Sequence, residues 1–189
     1  INTAAAELVG FVKEATGAEL GIETDGESFS EETKAVSLGK TTFFADSGLK
    51  LTDELGETGY VMKRKGNALL INAKDDNGVI SAVYDMLGVA LGLEFYSYDE
   101  YTLNKSNDMY LYDFDVEFVP STDMRDIMMR SLNTQYRQRM RLYTGKGLGH
   151  WITFAHTVTG ASSAKSAGND LYGLLPYSVY GEAHKDWYD

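Results

Sequence analysis

The sequence predicts an α+β fold: a sheet with helices packed on one face, followed by an incomplete βα segment. Three observations predict it. Residues 75–101 carry Val79, Ile80, Val83, Met86, Leu87, Ala90 and Leu91 at spacings of three and four, which is the period of a buried helix. Two short apolar runs, 59–65 and 68–73, flank Gly66-Asn67, which reads as a β-hairpin. Beyond Pro120 the order strand, helix, strand makes a βαβ unit, and such a unit needs a parallel pair.

Each element follows from local chemistry. Residues 3–16 place Ala5, Leu8, Val9, Val12 and Ala15 on one helical stripe, with Asn2 or Thr3 as cap and Gly17 as stop. Residues 19–24 alternate as a strand, with Leu20 and Ile22 on one face. A polar loop over 25–33 leads to a second strand over 34–38, closed by Gly39. Residues 41–55 predict one or two short helices broken near Gly48. The basic hairpin tip Lys63-Arg64-Lys65 has no glycine-rich phosphate loop beside it and reads as solvated surface.

The central helix follows Asp75 and Asp76, whose charges suit a helix N-terminus, and ends at Gly92. Strands are expected over 93–96 and 109–119. Past Pro120, residues 124–129 read as a buried strand. Residues 132–143 read as a helix with Tyr136 and Met140 inward and Arg137, Arg139 and Arg141 outward. Residues 151–158 read as a second buried strand. The expected division is an α+β accessory domain over 1–119 and the start of a larger domain over 120–189, because two strands cannot bury both faces of a parallel sheet.

Composition narrows the function. The chain has 189 residues, 43% of them hydrophobic, and a net charge of −11. That charge disfavours nucleic acid and anionic membrane surfaces as partners. No apolar run reaches the length of a transmembrane helix, and no signal peptide is visible. With no cysteine, disulfides, thiolate metal sites and cysteine nucleophiles are excluded. Charge is uneven: residues 1–120 hold 9 Lys/Arg against 22 Asp/Glu, whereas residues 121–189 hold 8 against 6. Such a step marks the meeting of two structural units.

The chemistry-bearing residues are few. Arg125, on a strand, has the forked donor geometry that holds sugar hydroxyls or a carboxylate; an ion pair with Asp123 is the plainer use. Of the three histidines, His150 and His156 lie six residues apart, ~20 Å on a continuous strand, too far to share a metal. His156 at a strand end suits hydroxyl binding or proton transfer, although packing is the commoner role. Asp123 and Asp126 point to opposite faces of a strand, so they cannot flank a glycosidic bond at the ~5–9 Å that glycosidases use. No serine has a nucleophile-elbow context. Trp151, Tyr177, Trp187 and Tyr188 are candidates for a sugar-stacking platform, with packing again the commoner use of such rings. No catalytic residue, metal or cofactor is expected within the chain.

A family resemblance sharpens these expectations. Ala5-Ala6-Glu7-Leu8, Thr16-Gly17-Ala18-Glu19-Leu20, Ser37-Leu38-Gly39, Gly59-Tyr60, Leu69-Leu70-Ile71, Gly78-Val79, Ala82 to Leu87, Leu91-Gly92 and Phe95-Tyr96 match a recurrent pattern. It resembles the α+β domain that precedes a (β/α)8 barrel in bacterial glycoside-hydrolase-like proteins, such as family 20 hexosaminidases and α-glucuronidases. The match covers most of residues 3–118 and consists mainly of fold-determining positions. The later part is similar to the barrel start of a secreted, uncharacterised branch, with Arg125 on the first strand, His156 after the second, and Ala183 to Tyr188 standing where a His-Pro-Glu-Trp-like segment occurs. Here lysine replaces the proline and aspartate the glutamate.

The resemblance implies a TIM-barrel-like continuation and a glycan partner. It implies an extracellular, periplasmic or cell-surface location. It also implies catalytic carboxylates on a later barrel strand, beyond this chain. The resulting expectation is a non-catalytic accessory domain and partial barrel of a glycan-processing protein. The alternatives are a carbohydrate-binding module, or a structural unit that dimerises through its incomplete segment.

Overall fold

The computed structural model describes residues 1–25, 32, 34–122, 125, 133–143 and 180–187. The chain divides into two compact units. The first comprises Ile1–Asp126 and Ser131–Tyr143, and the second Ile127–Arg130 and Thr144–Asp189. In the second unit the described residues form a turn in which the amides of Ala183 and His184 donate to the Tyr180 carbonyl, followed by a 3-10 turn at Lys185–Trp187.

The first unit is α+β, with a mixed sheet. Helix α1 (Asn2–Thr16) buries Ala4, Leu8, Phe11, Val12 and Ala15, and Gly17 ends it in the left-handed region at φ 77°. Strand β1 (Val36–Leu38) leads into the short helix α2 (Thr42–Asp46), capped by the Thr41 side chain. A 3-10 turn at Asp53–Leu55 precedes the hairpin of β2 (Tyr60–Lys65) and β3 (Ala68–Ala73). Helix α3 (Asp76–Leu91) follows, its Asp75 cap accepting from the Asn77 amide and its Gly92 left-handed at φ 64°. Next come β4 (Glu94–Phe95) and β5 (Tyr101–Thr102), which pair with each other, then β6 (Asp115–Phe118) and helix α4 (Thr134–Arg139).

The four-stranded sheet has the order β1-β3-β2-β6. Strand β1 runs parallel to β3, and both neighbours of β2, its hairpin partner β3 and the distant β6, are antiparallel to it. The period-2 rule divides the fully buried β3 between two cores. Leu69, Ile71 and Ala73 join Tyr60 and Met62 beneath α1 and α3, where Val83, Tyr84, Met86 and Leu87 fill the main core. Ala68 and Leu70 face the other way and meet Phe43 and Phe44 of α2. The two long helices thus share one face, as expected, and α2 is a correction: its paired phenylalanines cover the opposite face.

Several expected elements differ. Residues 19–24 are not a strand, and Leu20 and Ile22 stay exposed. The strand expected over 109–119 is shortened to β6, and that expected over 93–96 to β4. The helix expected over 132–143 is described only over Thr134–Arg139, because Arg141 turns left-handed at φ 55° and ends any continuation. The strands expected over 124–129 and 151–158, and hence the βαβ unit, lie outside the described residues apart from Arg125, which forms an antiparallel bridge with Tyr143. Residues 133–143 pack with the first unit.

Candidate functional site

The residues that carry charge into the interior of the first unit gather where α1, α3 and α4 meet. Helix α4 is too short to persist alone. Asn133 caps it by accepting from the Tyr136 amide, and its last turn ends on Arg139. The Arg139 guanidinium forks onto the Glu7 carboxylate, with Nε to Oε2 at 3.1 Å and Nη2 to Oε1 at 2.9 Å. Both side chains are mostly buried, 13% and 14% exposed. Tyr84 of α3 donates to Glu7 Oε2 at 2.9 Å, and Arg139 Nη1 donates to the Tyr98 carbonyl.

Aromatic rings enclose this pair. The guanidinium carbon lies 5.3 Å from the Phe11 ring centroid and 5.2 Å from that of Phe95, within cation–π range of both. Phe95 meets Tyr84 and Tyr101 edge-on, with centroids 5.0 and 5.8 Å apart. Burial pushes the Tyr84 hydroxyl well above the usual tyrosine range, and the Glu7 charge adds to that. Burial pulls Arg139 down, but the Glu7 bond and charge outweigh it and leave it raised. At the rim, Tyr101 donates to Glu14 at 2.7 Å, which lowers the Glu14 pKa and raises that of Tyr101.

A second cluster surrounds Arg125. Its backbone exchanges hydrogen bonds with Tyr143, at 2.8 and 2.5 Å. Its Nη2 donates to Thr58 Oγ1 at 3.0 Å, while its buried Nε finds no acceptor among the described residues. The Tyr143 hydroxyl donates to Glu57 at 2.6 Å. Arg141 pairs with Asp85, which also accepts from the Tyr60 hydroxyl. Burial first, then the bond and charge of Asp85, push Tyr60 far above its ordinary pKa. The cavity between Thr58, Ser81, Arg125 and Leu142 is about 10 Å³, room for one water and not for a sugar ring.

Of the candidate binding residues, Arg125 therefore faces Thr58 within the first unit. Its alternative partner Asp123 lies outside the described residues, as do Trp151, His156, Tyr177 and Tyr188. Trp187 closes the 3-10 turn of the second unit. The basic hairpin tip is surface, as expected, with each cation held. Lys63 bonds Asp115 at 2.8 Å, Arg64 bonds the Gly66 and Leu111 carbonyls, and Lys65 the Ser47 carbonyl.

Helical spacing predicts Arg137, Arg139 and Arg141 on an outward face, and the structure corrects this for Arg139. Its partner Glu7 is 132 residues away, a separation that helical periodicity cannot register. The available signal was the charge step at residue 120: a basic segment after an acidic one is what such pairing requires. Among the described residues no group of three or more His, Asp or Glu side chains is arranged to hold a metal, and no helix is long and apolar enough to cross a membrane. Comparison of the chain with protein-family models, curated proteins and solved structures finds no match.

Proposed function

We propose that residues 1–119 form a non-catalytic accessory domain that grips the start of the next part of the chain, in a glycan-processing protein of glycoside-hydrolase-like type. The Glu7–Arg139 fork supports this reading most. It spends a nearly buried carboxylate and a nearly buried guanidinium on joining α4 to α1. Arg141–Asp85, Tyr143–Glu57 and Arg125–Thr58 act in the same sense. Each ties a residue after Pro120 to one before it, so the polar chemistry of this region is consumed in docking. The glycan assignment rests on the sequence resemblance alone.

The test is hydrolysis of a panel of aryl glycosides, including uronides and N-acetylhexosaminides, by the full chain. No turnover above buffer is expected. Turnover abolished by substitution of a single carboxylate in residues 1–119 would overturn the proposal.

A second reading, a carbohydrate-binding module, is favoured by a different observation. Tyr96, Tyr98, Tyr110 and Tyr112 are exposed rings of the kind that stack on sugars. Chemical-shift changes at these tyrosines with a glycan panel would support it, and unchanged spectra at millimolar glycan would exclude it.

A further inference from the structure

Among the described residues no strand lies beside the outer edge of β1, whose backbone groups there lack a ladder partner. In the β1–β3 ladder the Leu69 amide donates to the Ala35 carbonyl and the Gly39 amide to the Ile71 carbonyl. A parallel ladder uses alternate residues on each side, so 35, 37 and 39 face β3 while Val36 and Leu38 aim their N–H and C=O outward. A groove of about 1290 Å³ is lined by β1 and α1, together with residues 18 and 20–25.

Those residues form a strap fixed at both ends. At one end, Gly17 terminates α1, the Ala18 amide donates to Thr16 Oγ1, and Lys13 pairs with Glu19 at 2.6 Å. At the other, Asp25 Oδ2 accepts from the Thr42 amide at 2.7 Å and from Thr42 Oγ1 at 3.0 Å. The direction of the strap follows from these anchors. The start of α1 lies at the C-terminal end of β1, where Ile1 Cδ1 comes within 2.8 Å of the position a Gly39 Cβ would take. The strap leaves the far end of α1 and returns to Thr42, just past that same end of β1, so it runs parallel to β1. Along it, Leu20 and Ile22 are 41% and 64% exposed, alternating with Gly21 and Glu23.

We infer that residues 19–24 close onto β1 as a fifth, parallel edge strand, giving the order strap-β1-β3-β2-β6 and shutting the groove. The register is set by chemistry. Val36 and Leu38 pack toward the main core, so Leu20 must lie beside Val36 and Ile22 beside Leu38 for the apolar side chains to share that face. The Val36 amide then donates to the Glu19 carbonyl and the Leu38 amide to the Gly21 carbonyl, while the Gly21 and Glu23 amides donate to the Val36 and Leu38 carbonyls. Closure satisfies the edge and removes two exposed aliphatic side chains from water.

Amide hydrogen exchange of the full chain, followed by NMR at two protein concentrations, tests this. The Val36 and Leu38 amides are expected to exchange at least ~100-fold more slowly than free-peptide rates. Gly21→Pro, which removes one donor, and Ile22→Asp, which forbids burial, should each return both amides to near-free rates while the Leu69 amide stays protected. Free-peptide exchange at Val36 and Leu38 in the unsubstituted chain overturns the proposal. So does protection that survives both substitutions, or that appears only at the higher concentration, which would identify a second copy as the occupant of the edge.

Discussion

Removing one member of the Glu7–Arg139 pair leaves its partner charged in a mostly buried, aromatic site. Loss of one partner from a buried pair costs about 3–5 kcal/mol. With both side chains 13–14% exposed, the lower end applies, so Glu7→Leu and Arg139→Met should each destabilise by about 3 kcal/mol. For a chain of this size that is about 6–12 °C in Tm. Combining Glu7→Leu with Arg139→Met removes both charges and keeps apolar bulk against Phe11 and Phe95. The double variant should therefore be more stable than either single one, with a coupling of at least ~1.5 kcal/mol. The assay is urea unfolding of the four proteins, read through the midpoint at constant slope. Single variants that each cost less than ~1 kcal/mol, with additive effects, are what solvated pairs show. That result would refute the idea that α4 is clasped to α1.

Alkaline pH should weaken the fold. Tyr60 and Tyr84 have folded pKa values raised above the ordinary 10.0, so their contribution is complete below pH 10 and is lost as pH climbs toward the folded values. Each group lowers stability by up to about 1.4 kcal/mol per pH unit in that window; urea midpoints from pH 9 to 11 should fall, and less steeply for Tyr84→Phe. A flat profile would show that these hydroxyls are solvated. Gly59→Ala should cost about 1–3 kcal/mol, since its Cβ would press on the backbone carbonyls of Leu55 and Phe118. In the same unfolding assay Gly10→Ala, with open space around it inside α1, should stabilise by about 0.5–1 kcal/mol.

Much of the fold was legible because its signals are local. Helix α3 declares itself through apolar spacing bounded by Asp75 and Gly92, and the hairpin through two apolar runs around Gly66-Asn67. The break at Gly48, at φ 77°, likewise separates α2 from the 3-10 turn. What could not be read depends on distant partners. Phe43 and Phe44 specify burial but not a face; that is decided by Leu70 of β3. Alternation over 19–24 specifies a strand-like pattern without supplying the neighbour that a strand needs. Arg139 carries every mark of a solvated helix face until Glu7, Tyr84 and two phenylalanine rings are placed around it.

The most direct test of the account is amide exchange along residues 133–143 of the full chain. The Met140, Leu142 and Tyr143 amides donate to the carbonyls of Tyr136, Arg137 and Arg125. A six-residue helix on its own gives almost no protection. If this segment belongs to the first unit, these three amides should exchange at least ~100-fold more slowly than free-peptide rates and lose that protection in Arg139→Met. Free-peptide rates at all three, with α3 protected, would contradict the claim that the α+β domain holds the chain beyond Pro120.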